Sequence, residues 1–169
     1  MKATTLLERQ HRNLQQLCET VEQGSASVRE SLLPQLAGDL EAHMEVEEQV
    51  FFPAACAALH EDGWSESCHS WHRQARQSLG RAIDAPIGGA EFERAVGELR
   101  AAVEHHAEET AEELFPRLER ALDGGEMRKL GVSMMSVYHD AVERPSPVSG
   151  RFAVLPGAPA PDAATQTHR

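Results

Sequence analysis

The chain has 169 residues, enough for one domain with a buried core. Hydrophobic residues make up 41% and aromatic residues only 5%, a balance that favours helices over strands. The net charge of -11 argues against nucleic acid as the main partner and against an anionic membrane surface. No apolar stretch is long enough to span a membrane, and the N-terminus lacks the apolar core of a signal peptide. These features predict a cytoplasmic protein.

Two amphipathic helices are predicted in the first 60 residues. The first begins near Thr4 or Thr5, either of which is a suitable N-cap. Its apolar face consists of Leu7, His11, Leu14, Cys18 and Val21. The second begins near residue 28 or 31, which places Pro34 in its first turn, where proline is tolerated. Its face consists of Leu36, Leu40, His43, Glu47 and Val50. Pro53 is expected to kink or interrupt this helix, which continues towards His60.

Two further long helices and a shorter fifth helix follow. Ser65 is a possible cap for the third, whose face consists of His69, His72, Ala75, Leu79 and Ile83. The fourth carries Phe92, Val96, Leu99, Val103, His106 and Thr110 and continues past Pro116. Short connections between four amphipathic helices predict an all-α, up-down-up-down four-helix bundle, with a short fifth C-terminal helix. Residues 144–169 are rich in Pro and Ala and are predicted to be a disordered, flexible tail beyond a domain of residues 1–143.

Two segments of the second and fourth helices, residues 43–53 and 106–116, share one pattern. Each contains a histidine, an acidic turn, an apolar pair and a proline at the same relative positions, with a constant offset of 63 residues. The apolar positions before the two histidines also correspond. A histidine within an apolar stripe, followed one turn later by carboxylates, is typical of metal ligands that point into a helical bundle.

Each of the four main helices carries a histidine on or near its apolar face. These histidines are His11, His43, His72 or His69, and His106 or His105. A buried imidazole needs a hydrogen bond or a metal, so four of them indicate a shared site. Glu47 follows His43 by four residues, and both side chains can therefore reach one ion. Imidazole and carboxylate without thiolate suit iron, manganese or zinc, and five or more such ligands favour iron or manganese.

Three motifs together resemble the hemerythrin-like, or HHE cation-binding, domain family. They are residues 6–12 around His11, the HxxxEExxFFP form of residues 43–53, and residues 103–106 leading to 113–116. The resemblance covers roughly residues 4 to 140. It implies a four-helix bundle around a non-haem di-iron site that binds oxygen or related small molecules. The ligands that it implies are His11, His43, Glu47, His72 and His106. His72 is preferred to His69 because His72-Arg73-Gln74-Ala75 is similar to His11-Arg12-Asn13-Leu14.

The fourth helix departs from the family pattern. The family has a second bridging carboxylate where this chain has Thr110, and a threonine hydroxyl is a poor iron ligand. Glu109, three residues after His106, is the preferred replacement, and Glu113 is a weaker candidate. Two iron ions per chain are therefore expected, with one ion as the alternative.

The resulting functional hypothesis is a non-enzymatic protein that binds or senses oxygen, peroxide or nitric oxide at non-haem iron. One alternative is an enzyme that oxidises iron or decomposes peroxide at the same site. Another is an interaction module whose C-terminal tail docks to a protein partner.

Overall fold

Helices account for nearly all of the described residues in the computed structural model, which describes residues 1–61 and 63–144, apart from the side chains at positions 65, 67 and 68. The α-helices are α1 (Ala3–Gln23), α2 (Ala26–Val46), α3 (Phe52–Leu59), α4 (Gly63–Asp84), α5 (Ala90–Glu109), α6 (Phe115–Ala121) and α7 (Gly124–Glu143). Two π-helical segments, π1 (Glu47–Phe51) and π2 (Thr110–Leu114), connect α2 to α3 and α5 to α6. The predicted tail beyond residue 144 lies outside the described residues.

The predicted all-α four-helix bundle is confirmed. Helix α1 packs against α2 and α5, and α4 packs against α5, α3 and α2, so that the four elements surround one core. The buried apolar side chains form two clusters along the bundle axis. In α1, Leu7 belongs to one cluster and Leu14 to the other, and the buried His11 lies between them. The polar layer of the bundle therefore lies between two apolar layers, which restricts the access of water.

Both π-helical segments precede a Phe-Pro pair. The backbone N–H of Phe52 donates to the carbonyl of Glu47, and that of Phe115 donates to the carbonyl of Thr110, which are bonds five residues long. Pro53 and Pro116 have no N–H to donate, so the helix must rearrange its hydrogen bonds just before each of them. The wider turn satisfies this need without breaking the helix, and π-turns of this kind are frequent at functional sites.

The predicted fifth helix is also confirmed, as α7. It is 20 residues long and begins with a complete capping box formed by Asp123 and Glu126. It packs across α1, α2 and π1 on the outside of the bundle. Gly131 permits this approach, because a Cβ atom there would lie 2.5 Å from the carbonyl oxygen of Met1.

The predicted cap of the first helix and the predicted start of the second are wrong. Helix α1 begins at Ala3 without a side-chain cap, and Thr4 is buried, with its hydroxyl donating to Glu119 Oε1 over 2.7 Å. Helix α2 begins at Ala26, so Pro34 lies in its interior rather than in its first turn. The buried side chains of Leu33 and Leu36 on either side of Pro34 stabilise the helix there, since tertiary packing outweighs local propensity. Among the described residues, no helix combines the length and apolar character needed to cross a membrane.

Candidate metal centre

Four histidines, each from a different helix, surround one glutamate in the polar layer. His11 lies on α1, His43 on α2, His72 on α4 and His106 on α5, while Glu47 is the first residue of π1. All five side chains are buried, and Glu47 and His43 are completely inaccessible to solvent. A carboxylate at such a position requires compensating partners, since an isolated charge in the core is costly.

The two oxygens of Glu47 divide the four histidines into two pairs. Oε1 lies 3.1 Å from His106 Nε2 and 3.9 Å from His11 Nε2. Oε2 lies 3.0 Å from His72 Nε2 and 3.5 Å from His43 Nε2. Each carboxylate oxygen therefore faces the Nε2 atoms of two imidazoles that come from different helices.

Two of these imidazoles also form a hydrogen bond through their other ring nitrogen, Nδ1. His43 Nδ1 lies 3.0 Å from Gln10 Oε1, and because an amide oxygen can only accept, His43 Nδ1 is the donor. His72 Nδ1 lies 2.6 Å from Glu48 Oε1, which also accepts from Arg76 over 3.1 Å. Such outer contacts orient the imidazole rings, so that the Nε2 atom of each faces Glu47.

Burial controls the charge of the site. It lowers the pKa of His43 to about 4, against the attraction of Glu47, and it lowers the pKa of His11 well below its usual value, assisted by repulsion from neighbouring histidines. Burial alone would raise the pKa of Glu47, but interactions with His106, His43 and His72 outweigh it and keep this pKa well below its usual value. At neutral pH, His11 and His43 are therefore uncharged and Glu47 is anionic.

The unpaired atoms fit a cation. His43 Nδ1 carries the ring proton, so its Nε2 has a lone pair facing a carboxylate oxygen, and two acceptors repel each other unless a cation lies between them. His11 Nε2 and His43 Nε2 are buried without a hydrogen-bond partner. Ligand atoms of His11, His43, Glu47 and His106 all lie within 4.8 Å of one another. Donors bound at about 2.1 Å to one ion are themselves about 3–4 Å apart, in the range of the contacts around Glu47.

Thr110 takes no part in this cluster of ligand atoms. It is buried at the start of π2, but its hydroxyl donates to the backbone carbonyls of His106 and Ala107, over 2.8 Å and 3.2 Å. Glu109 is half-buried in the wall of a neighbouring pocket, and Glu113 is exposed. The proposal that Glu109 supplies a second carboxylate ligand stays a prediction.

The alternative histidines point elsewhere. His69 and His105 are both exposed, whereas His72 and His106 approach Glu47. Sequence reasoning did not identify Gln10 and Glu48, although each directly adjoins a predicted ligand, because helix periodicity places neighbouring residues on different faces. Trp71 is a further residue of this layer, and its indole ring stacks on the imidazole of His106 with 3.9 Å between ring centroids.

Comparison with known proteins agrees with this architecture. The family described as hemerythrin HHE cation binding domain matches residues 2–118. Among solved structures, the crystal structure of a hemerythrin HHE cation binding domain-containing protein from Mycobacterium kansasii superposes with a TM-score of 0.74. It is 20% identical in sequence and covers 85% of this chain and 88% of that one, which shows a shared fold. Among curated proteins, none matches this chain. The extent of the family match shows that the chain belongs to the hemerythrin HHE cation-binding domain family.

Proposed function

We propose that this protein binds or senses oxygen, or a related small oxidant such as peroxide or nitric oxide, at non-haem iron held by His11, His43, Glu47, His72 and His106. The observation that carries the proposal is the buried, anionic carboxylate of Glu47 with four imidazole nitrogens within 3.9 Å of its oxygens. Hemerythrin-like domains bind iron, and this His/Glu group could hold a metal.

The division of the histidines would suit two ions per chain that share Glu47 as a ligand. His11 and His106 accompany Oε1, while His43 and His72 accompany Oε2. Each half thus offers two imidazoles and one carboxylate oxygen, a donor set that suits non-haem iron and leaves coordination positions open for small molecules. Iron bound by these residues would supply reversible electron transfer to a small oxidant.

The protein residues provide the surroundings for that chemistry. The apolar layers on both sides of the site exclude water, which strengthens electrostatic interactions inside and protects a reduced metal from solvent. Gln10 and Glu48 hold the rings of His43 and His72, so both Nε2 atoms stay directed at Glu47. Among the described residues, those around the site supply no second buried carboxylate that could serve as an acid or base beside Glu47.

Anaerobic loading with ferrous iron tests the proposal. Elemental analysis is expected to give two iron ions per chain, and exposure to air is expected to produce charge-transfer absorption in the near-ultraviolet. Mössbauer spectroscopy then reports whether the two ions are coupled. A protein that retains no iron after gel filtration would contradict the whole proposal, while one ion per chain would contradict only the bridged pair.

The coordination positions left open in each half of the site also favour a second candidate function. This candidate is an enzyme that oxidises ferrous iron or decomposes peroxide. Steady-state turnover separates the two functions, because a carrier or sensor reacts once per site and consumes no excess peroxide. Sustained consumption of peroxide by the iron-loaded protein, abolished together with iron binding in Glu47→Gln, would favour the enzyme.

A further inference from the structure

A pocket between α4 and α5 extends from the surface to the histidine cluster. Its volume is about 420 Å³. Ala101 and His105 in its wall are exposed, whereas Trp71, Ala102 and His106 are buried. His106 reaches Glu47 through its Nε2 atom, so the pocket ends against the outer side of a residue of the proposed iron site.

The indole of Trp71 lies beside His106 at the inner end of this pocket. It stacks on His106 with 3.9 Å between ring centroids and an interplanar angle of 16°, and it makes edge contacts with His72 and His43 at 4.8 Å and 5.9 Å. Its Nε1–H donates to the carbonyl oxygen of Ala102 over 2.8 Å. One side chain of α4 thus touches three of the four histidines and is fixed in orientation by α5.

The composition of the pocket wall favours small uncharged molecules. Its buried part consists largely of Trp71, Ala102 and the ring of His106. Glu98 and Glu109 add negative charge to the wall, which disfavours anions. Glu98 is bound to Arg81 and lies 3.4 Å from Arg94, so its own charge is partly compensated.

We infer that small neutral molecules reach the metal centre through this pocket, and that Trp71 is the positioning residue that closes its inner end. This inference rests on the proposed function, since it names the route by which an oxidant approaches the same site.

The first test places a larger side chain at the pocket mouth. Stopped-flow absorbance then measures the rate at which ferrous-loaded protein binds nitric oxide. Ala101→Phe is expected to reduce the association rate constant by about fivefold with unchanged iron content. Ala90→Phe, at another exposed alanine of α5, is the matched control and is expected to retain the original rate. An unchanged rate in Ala101→Phe would overturn the inference. Failure of the unsubstituted protein to bind iron or nitric oxide would instead contradict the proposed function.

The second test replaces Trp71, at the inner end of the pocket, with a smaller side chain. Trp71→Leu is expected to increase the association rate constant while the protein retains its iron. A purely structural role for Trp71 predicts loss of iron or of folded protein without a faster rate, and that result would overturn its assignment.

The third test needs no metal. In a Trp64→Phe background, the fluorescence of metal-free protein comes from Trp71 alone, since the chain has two tryptophans. Acrylamide, a small neutral quencher, is expected to quench Trp71 about half as strongly after Ala101→Phe and equally strongly after Ala90→Phe. Equal quenching in all three proteins would overturn the pocket as a route, whatever the outcome of iron loading.

Discussion

The two repeated segments, residues 43–53 and 106–116, have the same backbone and different chemistry. Each starts with a buried histidine, enters a π-helical segment four residues later and resumes an α-helix at a Phe-Pro pair. The first residue of π1 is Glu47, which faces four histidines, whereas the first residue of π2 is Thr110, whose hydroxyl returns to its own backbone. The residue after Glu47 is Glu48, which holds His72, and its counterpart is the exposed Ala111.

This comparison separates two roles of the repeat. The histidine, the apolar pair and the proline set the path of the helix and direct one imidazole from each segment into the bundle. The carboxylates set the charge, and Glu47 and Glu48 of the first segment are the ones whose oxygens lie against the histidines. Among the described residues, the buried negative charge thus comes from π1, while the second segment contributes His106 and apolar packing.

Replacement of Glu47 has the largest expected effect on the metal. Glu47→Gln keeps the shape of the side chain but removes the buried negative charge, so iron affinity is expected to fall by about a thousandfold. Competition with a chelator, followed by elemental analysis, measures this change. The matched control at the equivalent position is Thr110→Val, which removes a hydroxyl that contacts only backbone and should retain the iron. Comparable losses in both variants would contradict the asymmetry.

Acid should destabilise the metal-free protein through the same group of residues. The pKa of His43 is about 4 in the folded state because of burial, and about 6.5 when the chain is unfolded. The unfolded chain therefore binds more protons between these values, and stability that is present above about pH 6.5 is lost as the pH falls towards 4, on the order of 3 kcal/mol for this residue. The low pKa of Glu47 acts in the same direction below about pH 4.5.

Urea unfolding of the metal-free protein at pH 7.5, 6 and 5 measures this dependence. His43→Gln is expected to reduce this dependence between pH 7.5 and 5, because one of the buried imidazoles is gone, and the part due to His11 should remain. Replacement of the exposed His105 with Gln should leave the dependence unchanged. Equal unfolding free energies at all three pH values would show that the buried histidines do not control acid stability.

A second carboxylate at π2 should make the two segments chemically equivalent. Thr110→Glu places an acidic side chain at the position that corresponds to Glu47, and iron release to a chelator is expected to slow by about thirtyfold. The slower release reflects the second anionic ligand that this substitution would supply to the two iron ions. Thr110→Gln is the matched control, since it has nearly the same size and no charge. Faster iron release in Thr110→Glu than in Thr110→Gln would contradict the proposed position of the ions.

The smallest expected effect concerns the support of His72. Glu48→Ala removes the acceptor at Nδ1, and iron affinity is expected to fall by about tenfold, as for other residues that orient metal-binding histidines. Glu45→Ala is the control, because Glu45 lies on the same helix but pairs with Arg144. Isothermal titration with a divalent metal distinguishes the two variants. Identical metal affinities of the two variants would show that Glu48 does not support metal binding.

Much of the fold follows from the sequence. The apolar stripes of α1 and α5 identified the faces that are buried, and Gly24 and Gly88 lie close to the end of α1 and the start of α5. Helix starts were less predictable, as Pro34 shows, because a proline in a helix interior is stabilised by side chains from neighbouring helices. Local preference and long-range packing act on the same residues, and only the first is visible in a linear sequence.

The candidate metal site also has features that the sequence predicts and features that depend on tertiary packing. The sequence by itself determined the family, the four helices and the presence of a histidine in each, because periodicity and motif spacing are local properties. Only the tertiary structure decided that His72 and His106 rather than His69 and His105 approach Glu47, since this choice depends on the rotation of each packed helix. It also decided that Thr110 turns back to its backbone and that Trp71 lies against three histidines. Both depend on contacts between residues far apart in the chain, which helical spacing cannot specify.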